Sequence, residues 1–341
     1  MNEAVKSRIL PRNMADDYHR PYGAPRPISD SRGAVWQGKA RHGTARRGKA
    51  WPGSVSRRGS RSNVGIEAAY NKKLVALIDS MNKSVEYWLK AAYRAHEPRM
   101  AQDGGQDGLE SLGADALEHG RQFLSGMAIE ELALDRSPAD WLKSAFDKLA
   151  RRWLRQFDQG ADKLAEWFTR AVADRSDAQL RQILRQSGLS VPFKMTPAMR
   201  DIRDATVHEN VALIKSIPRQ YLAQVEGSVM RSVTAGRDLA TLVTELREHH
   251  GVTKRRAALI AMQQNNAATS AFTRARQVEH GLLAVWMHSH AGKEPRPTHL
   301  ANNGKPYDPA VGWYDPAEKK HIFPGQLINC RCFSRTIIPG F

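Results

Sequence analysis

Two cysteines stand one residue apart near the end of the chain, in Asn329-Cys330-Arg331-Cys332, and no other cysteine occurs among its 341 residues. A disulfide closed across a single residue is badly strained, so reduced thiols are expected. Two thiolates and two imidazoles make a tetrahedral zinc set. His299 and His321 are the candidates to complete it, with His288 and His290 in reserve. The competing reading is that both thiols simply pack the last strand as small apolar groups. Both readings stay open on sequence, and the cofactor expectation is none beyond a structural zinc.

A second chemistry draws on the same region. His288, His290, His299, Asn302 and Asn303 are the residue types of a metal-dependent nuclease, in which histidine activates water and a cation clamps the phosphate. The nearby carboxylates are Asp308 and Asp315, and their spacing fixes no ligand geometry. The chain contains no Gly-rich phosphate loop, no nucleophile elbow and no H-E-x-x-H. A scaffold is favoured over catalysis, with no catalytic residue assigned. Arg296 and Arg331 are expected to tie loops by donating hydrogen bonds to carbonyls.

These residues follow a long helical stem. From Ile66, apolar side chains at Leu74, Leu77, Ile78, Met81, Val85, Trp88, Leu89 and Ala92 recur at steps of three and four, which predicts a helix of about six turns. A Gly-rich loop over 97–115 and a shorter helix around 116–134 come next. Ser137-Pro138 caps another helix with Leu142, Leu149 and Trp153 on its stripe, and Gly160 is expected to break it. Trp141, Trp153, Trp167 and Phe168 are read as core. Ser176 is expected to open a short helix that Gly188 closes. Residues 198 to 235 resume helical spacing, interrupted at Pro218. Asp238 precedes a helix closed at His249-His250-Gly251, and a further helix runs from about Thr253 to His280, with Gly281 as its stop.

Beyond Gly281 the helical period fails. Leu282 to His288 reads as a buried strand, Asn303-Gly304 as a hairpin turn, and short strands are expected near Lys320 to Phe323 and Arg331 to Ile338. The fold class is therefore a mainly α-helical N-terminal and central region with a small α+β C-terminal domain. The expected divisions are a disordered basic tail over 1–63, a helical domain over 64–280 and the small domain over 281–341.

The formal charge is +17, and residues 1 to 65 hold fourteen Lys/Arg against four Asp/Glu. Poor in aliphatic residues and rich in Arg, Gly, Pro and Ser, this stretch cannot build a packed core. Arg46, Arg47, Arg57, Arg58 and Arg61 are the candidate contacts to a phosphate backbone, with Trp36 and Trp51 available to stack on bases. A solvated tail without a nucleic-acid role is the alternative. No run reaches the roughly 18 to 20 apolar residues of a membrane span. The expectation is a cytoplasmic protein with no membrane partner.

Trp286, Arg296 with His299 three residues on, Asn303-Gly304-Lys305, Pro324-Gly325 and Asn329-Cys330-Arg331-Cys332 together resemble the C-terminal domain of the phage Mu F-like head morphogenesis proteins. Upstream, Asn210 to Ile214, Ser216-Ile217-Pro218, Gly236 ahead of Leu239 and Leu242, and Arg256-Ala257 with Ile260-Ala261 follow the order of that family. The resemblance covers roughly residues 140 to 341. It implies a minor capsid protein of a tailed phage, associated with the portal vertex and needed for head assembly. The implied partners are the portal protein and the major capsid protein, with double-stranded DNA bound non-specifically, and the implied location is the virion head, with host cytoplasm during assembly. No chemical step is implied. The alternative is a metal-dependent or toxin-like nuclease.

Overall fold

The computed structural model describes residues 53–95, 138–235, 238–289 and 294–338. The expected loop over 97–115, the helix around 116–134, His290, and the tail residues Trp36, Arg46, Arg47 and Trp51 lie outside them. Four long helices carry the mass: α1 (Val64–Ala95), α2 (Pro138–Gln186), α3 (Pro197–Thr234) and α4 (Leu239–Glu279). Each turns an apolar stripe inward. On α1 it runs Tyr70, Leu74, Ile78, Met81, Val85, Leu89 and Ala92, and on α2 Leu142, Phe146, Leu149, Trp153, Phe157, Ala161, Ala165, Phe168 and Val172, all buried in one core. Full burial of one large apolar side chain stabilises by about 1.5–3 kcal/mol, so these stripes dominate the stability of the stem. α4 packs against all three of the others.

The helices are fewer and longer than local propensity implies. Gly160 does not break α2, which continues for 49 residues, and Ser176 lies buried within it instead of capping a new helix. Pro218 sits inside α3, and Gly251 inside the 41 residues of α4. In each case the apolar stripe runs on through the weak residue, and its burial outweighs the roughly 1–3 kcal/mol that Gly or Pro costs a helix. His249 and His250 are accordingly mid-helix: His249 Nε2 meets Ser228 Oγ at 2.9 Å and His250 Nε2 meets Asp79 Oδ1 at 2.7 Å. Trp167, read as core, is 37% exposed under the Lys73 ammonium. The side chain of Trp141 lies outside the described residues.

The expected stop at Gly281 does hold. At the end of α4, Gly281 takes φ +62°, Leu282 N–H donates to Gln277 O at 2.8 Å and Gly281 N–H to Val278 O at 3.1 Å. Both bonds answer carbonyls of the last turn, in a conformation that glycine adopts without a Cβ penalty. The turn delivers the chain into a four-stranded antiparallel sheet of order β1-β6-β2-β3. Its strands are β1 (Ser54–Val55), β2 (Leu283–Met287), β3 (Pro306–Tyr307) and β6 (Phe333–Ile338). A short helix α5 (Pro297–Ala301) and a hairpin of β4 (Trp313–Asp315) and β5 (Lys320–Ile322) fill the connections. Leu282 and Ile338 pack with Leu180, Ile183 and Leu184 at the end of α2, which seats the sheet on the stem. Arg276 adds a buried polar tie: its guanidinium forks onto Asp177 at 2.8 and 2.9 Å and donates to Lys194 O at 2.6 Å.

One boundary moves. Residues 53 to 63, expected in a disordered tail ending at 63, return to the far end of the chain. Ser54 pairs with Ile338 and Val55 with Ile337, and Ser60 N–H donates to Ser334 O at 2.9 Å. The segment is held by backbone hydrogen bonds and not by an apolar stripe, so its composition carries no trace of the pairing.

Candidate metal centre

Strand β2 ends at Met287, and the next residue, His288, is fixed by its backbone N–H donating to Asn303 Oδ1 at 2.9 Å. Pro297 opens α5 at a position where its missing N–H is harmless, and the single turn that follows carries His299 inward to 2% exposure. The segment from Phe323 to Cys332 folds as a tight knuckle. Gln326 Oε1 accepts from Phe323 N–H at 3.0 Å, Cys330 N–H donates to Leu327 O at 2.9 Å, and Asn329 turns the chain at φ +61°.

These pieces bring the two thiols and two imidazoles together. His299 Nδ1 lies 3.5 Å from Cys330 Sγ and 3.7 Å from Cys332 Sγ, and His288 Nδ1 lies 3.7 Å from Cys332 Sγ. The ligand atoms of His299, Cys330 and Cys332 all fall within 4.8 Å of one another, and the three side chains are buried. On the far side of the ring, His299 Nε2 is 3.4 Å from Asp315 Oδ2, a carboxylate with no solvent exposure. Asp315 is itself held by Thr298 Oγ1 at 3.3 Å and by Ala317 N–H at 2.9 Å. Trp286 lies edge-on to His299 at 5.0 Å between centroids and Trp313 edge-on at 6.3 Å, with Tyr307 packed against Trp286.

A hydrogen bond from Cys332 lowers the Cys330 pKa from the ordinary thiol range despite burial, with His299 and the backbone of Cys332 and Gly325 adding to the effect. The same hydrogen bond, followed by burial, pushes Cys332 up. A thiolate is the metal-binding form of cysteine. Cys332 also lines a cleft of about 280 Å³ with Arg61, Arg331 and Phe333.

His321 is not in this cluster. It lies exposed on β5 with its ring 5.4 Å from Tyr314, because Ile322 beside it takes the inward position and alternation turns His321 out. Asp308 is exposed, its carboxylate accepting from Ala310 N–H at 2.8 Å in a turn. Asp315 is fully buried, so the two carboxylates occupy unlike surroundings and do not read as a catalytic pair. Asn302 is buried and Asn303 is engaged with His288.

Helix α4 holds the knuckle from beneath. Gln263 Nε2 donates to Gln326 O and Leu327 O, each at 3.2 Å, and its Oε1 accepts from Asn329 N–H at 2.9 Å. Asn266 Nδ2 donates to Cys330 O at 3.3 Å while its Oδ1 accepts from Ser62 Oγ at 2.6 Å. Arg296 donates to Ile328 O at 3.0 Å, and Arg331 reaches Met262 Sδ at 2.9 Å. Sequence reasoning names Asp315 and His288 but not their places behind His299 and beside Cys332, and it misses Gln263 and Asn266 as supports of the knuckle. Four consecutive amides, Gln263 to Asn266, within a helix whose apolar stripe passes through Ile260, Ala261 and Ala268, are the signal that could have found these two supports. Of the candidate phosphate contacts, Arg57 and Arg58 are exposed and Arg61 lies over the Phe333 ring at 4.2 Å.

The arrangement is that of a small sheet and knuckle carried on a helical stem, and part of this stretch is similar in sequence to known proteins. Residues 223–335 match the family described as Phage Mu protein F like protein. The matched stretch runs from the end of α3 through α4, β2 and β3 into β6, so this part of the chain is similar to that family. An uncharacterized protein of Haemophilus influenzae is 26% identical over 255 residues, which is 74% of this chain and 53% of that relative. The chain thus spans about half the length of the relative. No solved structure matches.

Proposed function

We propose that this protein is a minor head component of a tailed phage, acting in head morphogenesis by binding the portal or the major capsid protein during procapsid assembly. The observation that carries this reading is the family match over 223–335, which covers the knuckle, β2, β3, the start of β6 and the helix beneath them as one stretch of chain. The buried surroundings of His299, Asp315 and both thiols favour a structural role for the motif residues Trp286, Arg296, His299, Gly304, Asn329, Cys330, Arg331 and Cys332. Arg57 and Arg58, together with Arg46, Arg47 and Arg61, would contact packaged duplex through its phosphates without reading sequence, a contact that weakens steeply with salt. The location that follows is the virion head, reached from the host cytoplasm. Among the described residues no helix is long and apolar enough to cross a membrane.

The test is co-expression with the capsid and portal genes of the same genome, followed by gradient sedimentation. The protein is expected to travel with procapsids, and its omission to reduce the yield of filled heads. A protein that stays at the top of the gradient overturns this reading. Plasmid degradation that requires a divalent metal and vanishes in His299→Ala would replace it with the nuclease reading.

A further inference from the structure

We propose that His288, His299, Cys330 and Cys332 bind one zinc ion, which staples the C-terminal sheet to its knuckle. Zinc bound by sulfur at about 2.3 Å and by nitrogen at about 2.0–2.1 Å, at the tetrahedral angle, places S and N roughly 3.5–3.6 Å apart. The three sulfur–nitrogen distances here, 3.5, 3.7 and 3.7 Å, are those of tetrahedron edges. His299 Nδ1 also faces two sulfurs at once, whereas one ring nitrogen can make one good hydrogen bond. One ion among the ligand atoms of His299, Cys330 and Cys332, which lie within 4.8 Å of one another, satisfies those three together, and His288, 3.7 Å from Cys332 Sγ, stands beside them to supply the fourth ligand.

The surroundings agree. Two thiols with two imidazoles form a soft, four-ligand tetrahedral set that suits zinc, and a set closed by four protein ligands is of the structural kind, with no position left for substrate. Asp315 stands behind His299 on its Nε2 side, the carboxylate partner that orients a metal-bound imidazole and fixes which nitrogen faces the ion. Asn303 fixes the backbone of His288 in the same way that Gln263 and Asn266 fix the knuckle. There is also a stability argument. The core around these ligands has six buried members, Ala284, Trp286, Tyr307, Ile322 and the two cysteines themselves. A core this small gains from a cross-link, and here the link joins the end of β2, helix α5 and the knuckle, segments 44 residues apart in sequence at the extremes.

The experiment uses the full chain, purified without chelator. Elemental analysis is expected to find about one zinc per chain, and cobalt exchanged into the site is expected to show the intense visible bands of a tetrahedral ion with thiolate ligands. A strong chelator is expected to lower Tm by at least about 5 °C, restored by adding zinc back. His288→Ala and Cys332→Ser are expected to lose the metal and the cobalt spectrum, while His321→Ala keeps both. Wild-type protein with less than about a tenth of an equivalent of zinc after zinc loading, or with an octahedral cobalt spectrum, overturns the proposal. So does retention of the metal in Cys332→Ser, or its loss in His321→Ala. If the cysteine variant fails to fold, the cobalt spectrum and chelator shift of the wild-type chain still decide.

Discussion

At the scale of single residues, Tyr307 makes the local packing of the small domain measurable. Its ring packs against Trp286 and its hydroxyl meets Ser334 Oγ at 2.6 Å, at 5% exposure. Burial pushes its pKa up to about 12, with the Ser334 hydrogen bond and the Arg274 charge working weakly the other way. The unfolded phenol titrates near 10. Because the folded value is the higher, Tyr307 contributes stability that is fully present below pH 10 and is lost as pH rises toward 12. The loss amounts to roughly 2–3 kcal/mol. Tyr70 and Tyr221 are raised in the same direction by burial in the helical core, so the wild-type protein should lose stability over a broad alkaline range. Urea midpoints measured between pH 8 and 12 are expected to stay flat and then fall, and the fall between 10 and 12 should be shallower in Tyr307→Phe. Equal slopes in the two proteins would mean that the phenol titrates in contact with solvent.

At the scale of elements, the continuity of α2 through Gly160 has a direct test. A Cβ placed at Gly160 would meet no atom within 4 Å, and the residue lies within the unbroken helix. Gly160→Ala should therefore raise stability by about 0.5–1 kcal/mol, read as a higher urea midpoint with an unchanged slope. A lower midpoint would show that the helix breaks there after all. The position also illustrates what was legible in advance. The stripe of α1, the stop at Gly281 and the strands at 283–287, 320–322 and 333–338 follow from spacing and turn chemistry alone, because those signals are local. Joins across Gly160, Pro218 and Gly251 are not local: burial on a distant partner decides them, and propensity points the other way. The same holds for the site. Period-two alternation on a three-residue strand is too short to show that His321 faces out, and the place of His288 beside Cys332 depends on β2 pairing with β6, from Met287 opposite Phe333.

At the scale of the whole molecule, the residues just ahead of α1 close the structure by pairing with its last described strand. Ser56 N–H donates to Thr336 O and Ser60 N–H to Ser334 O, both at 2.9 Å. Ser62 reaches Asn266 on α4, and Arg61 covers Phe333. Gly59 permits the approach, since a Cβ there would come within 2.3 Å of the Phe333 ring, and Gly59→Val should push the segment off the sheet. Without this cover β6 becomes an edge, presenting unpaired backbone groups to any other strand. A chain beginning at Asn63 is therefore expected to be less stable than one beginning at Gly53, by about 1–3 kcal/mol, since several partly buried hydrogen bonds each contribute on the order of 1 kcal/mol. It is also expected to form soluble oligomers as its concentration rises. Light scattering after size exclusion and urea unfolding of the two chains make the comparison, with Gly59→Val in the longer chain reproducing the shorter one. Identical midpoints and a monomer in all three would mean that the segment only rests against β6. A measured difference would make the segment from 53 to 62 part of the sheet that bears the knuckle, so that whatever binds or pulls on the basic stretch ahead of it acts directly on β6 and, through Phe333, on Cys332.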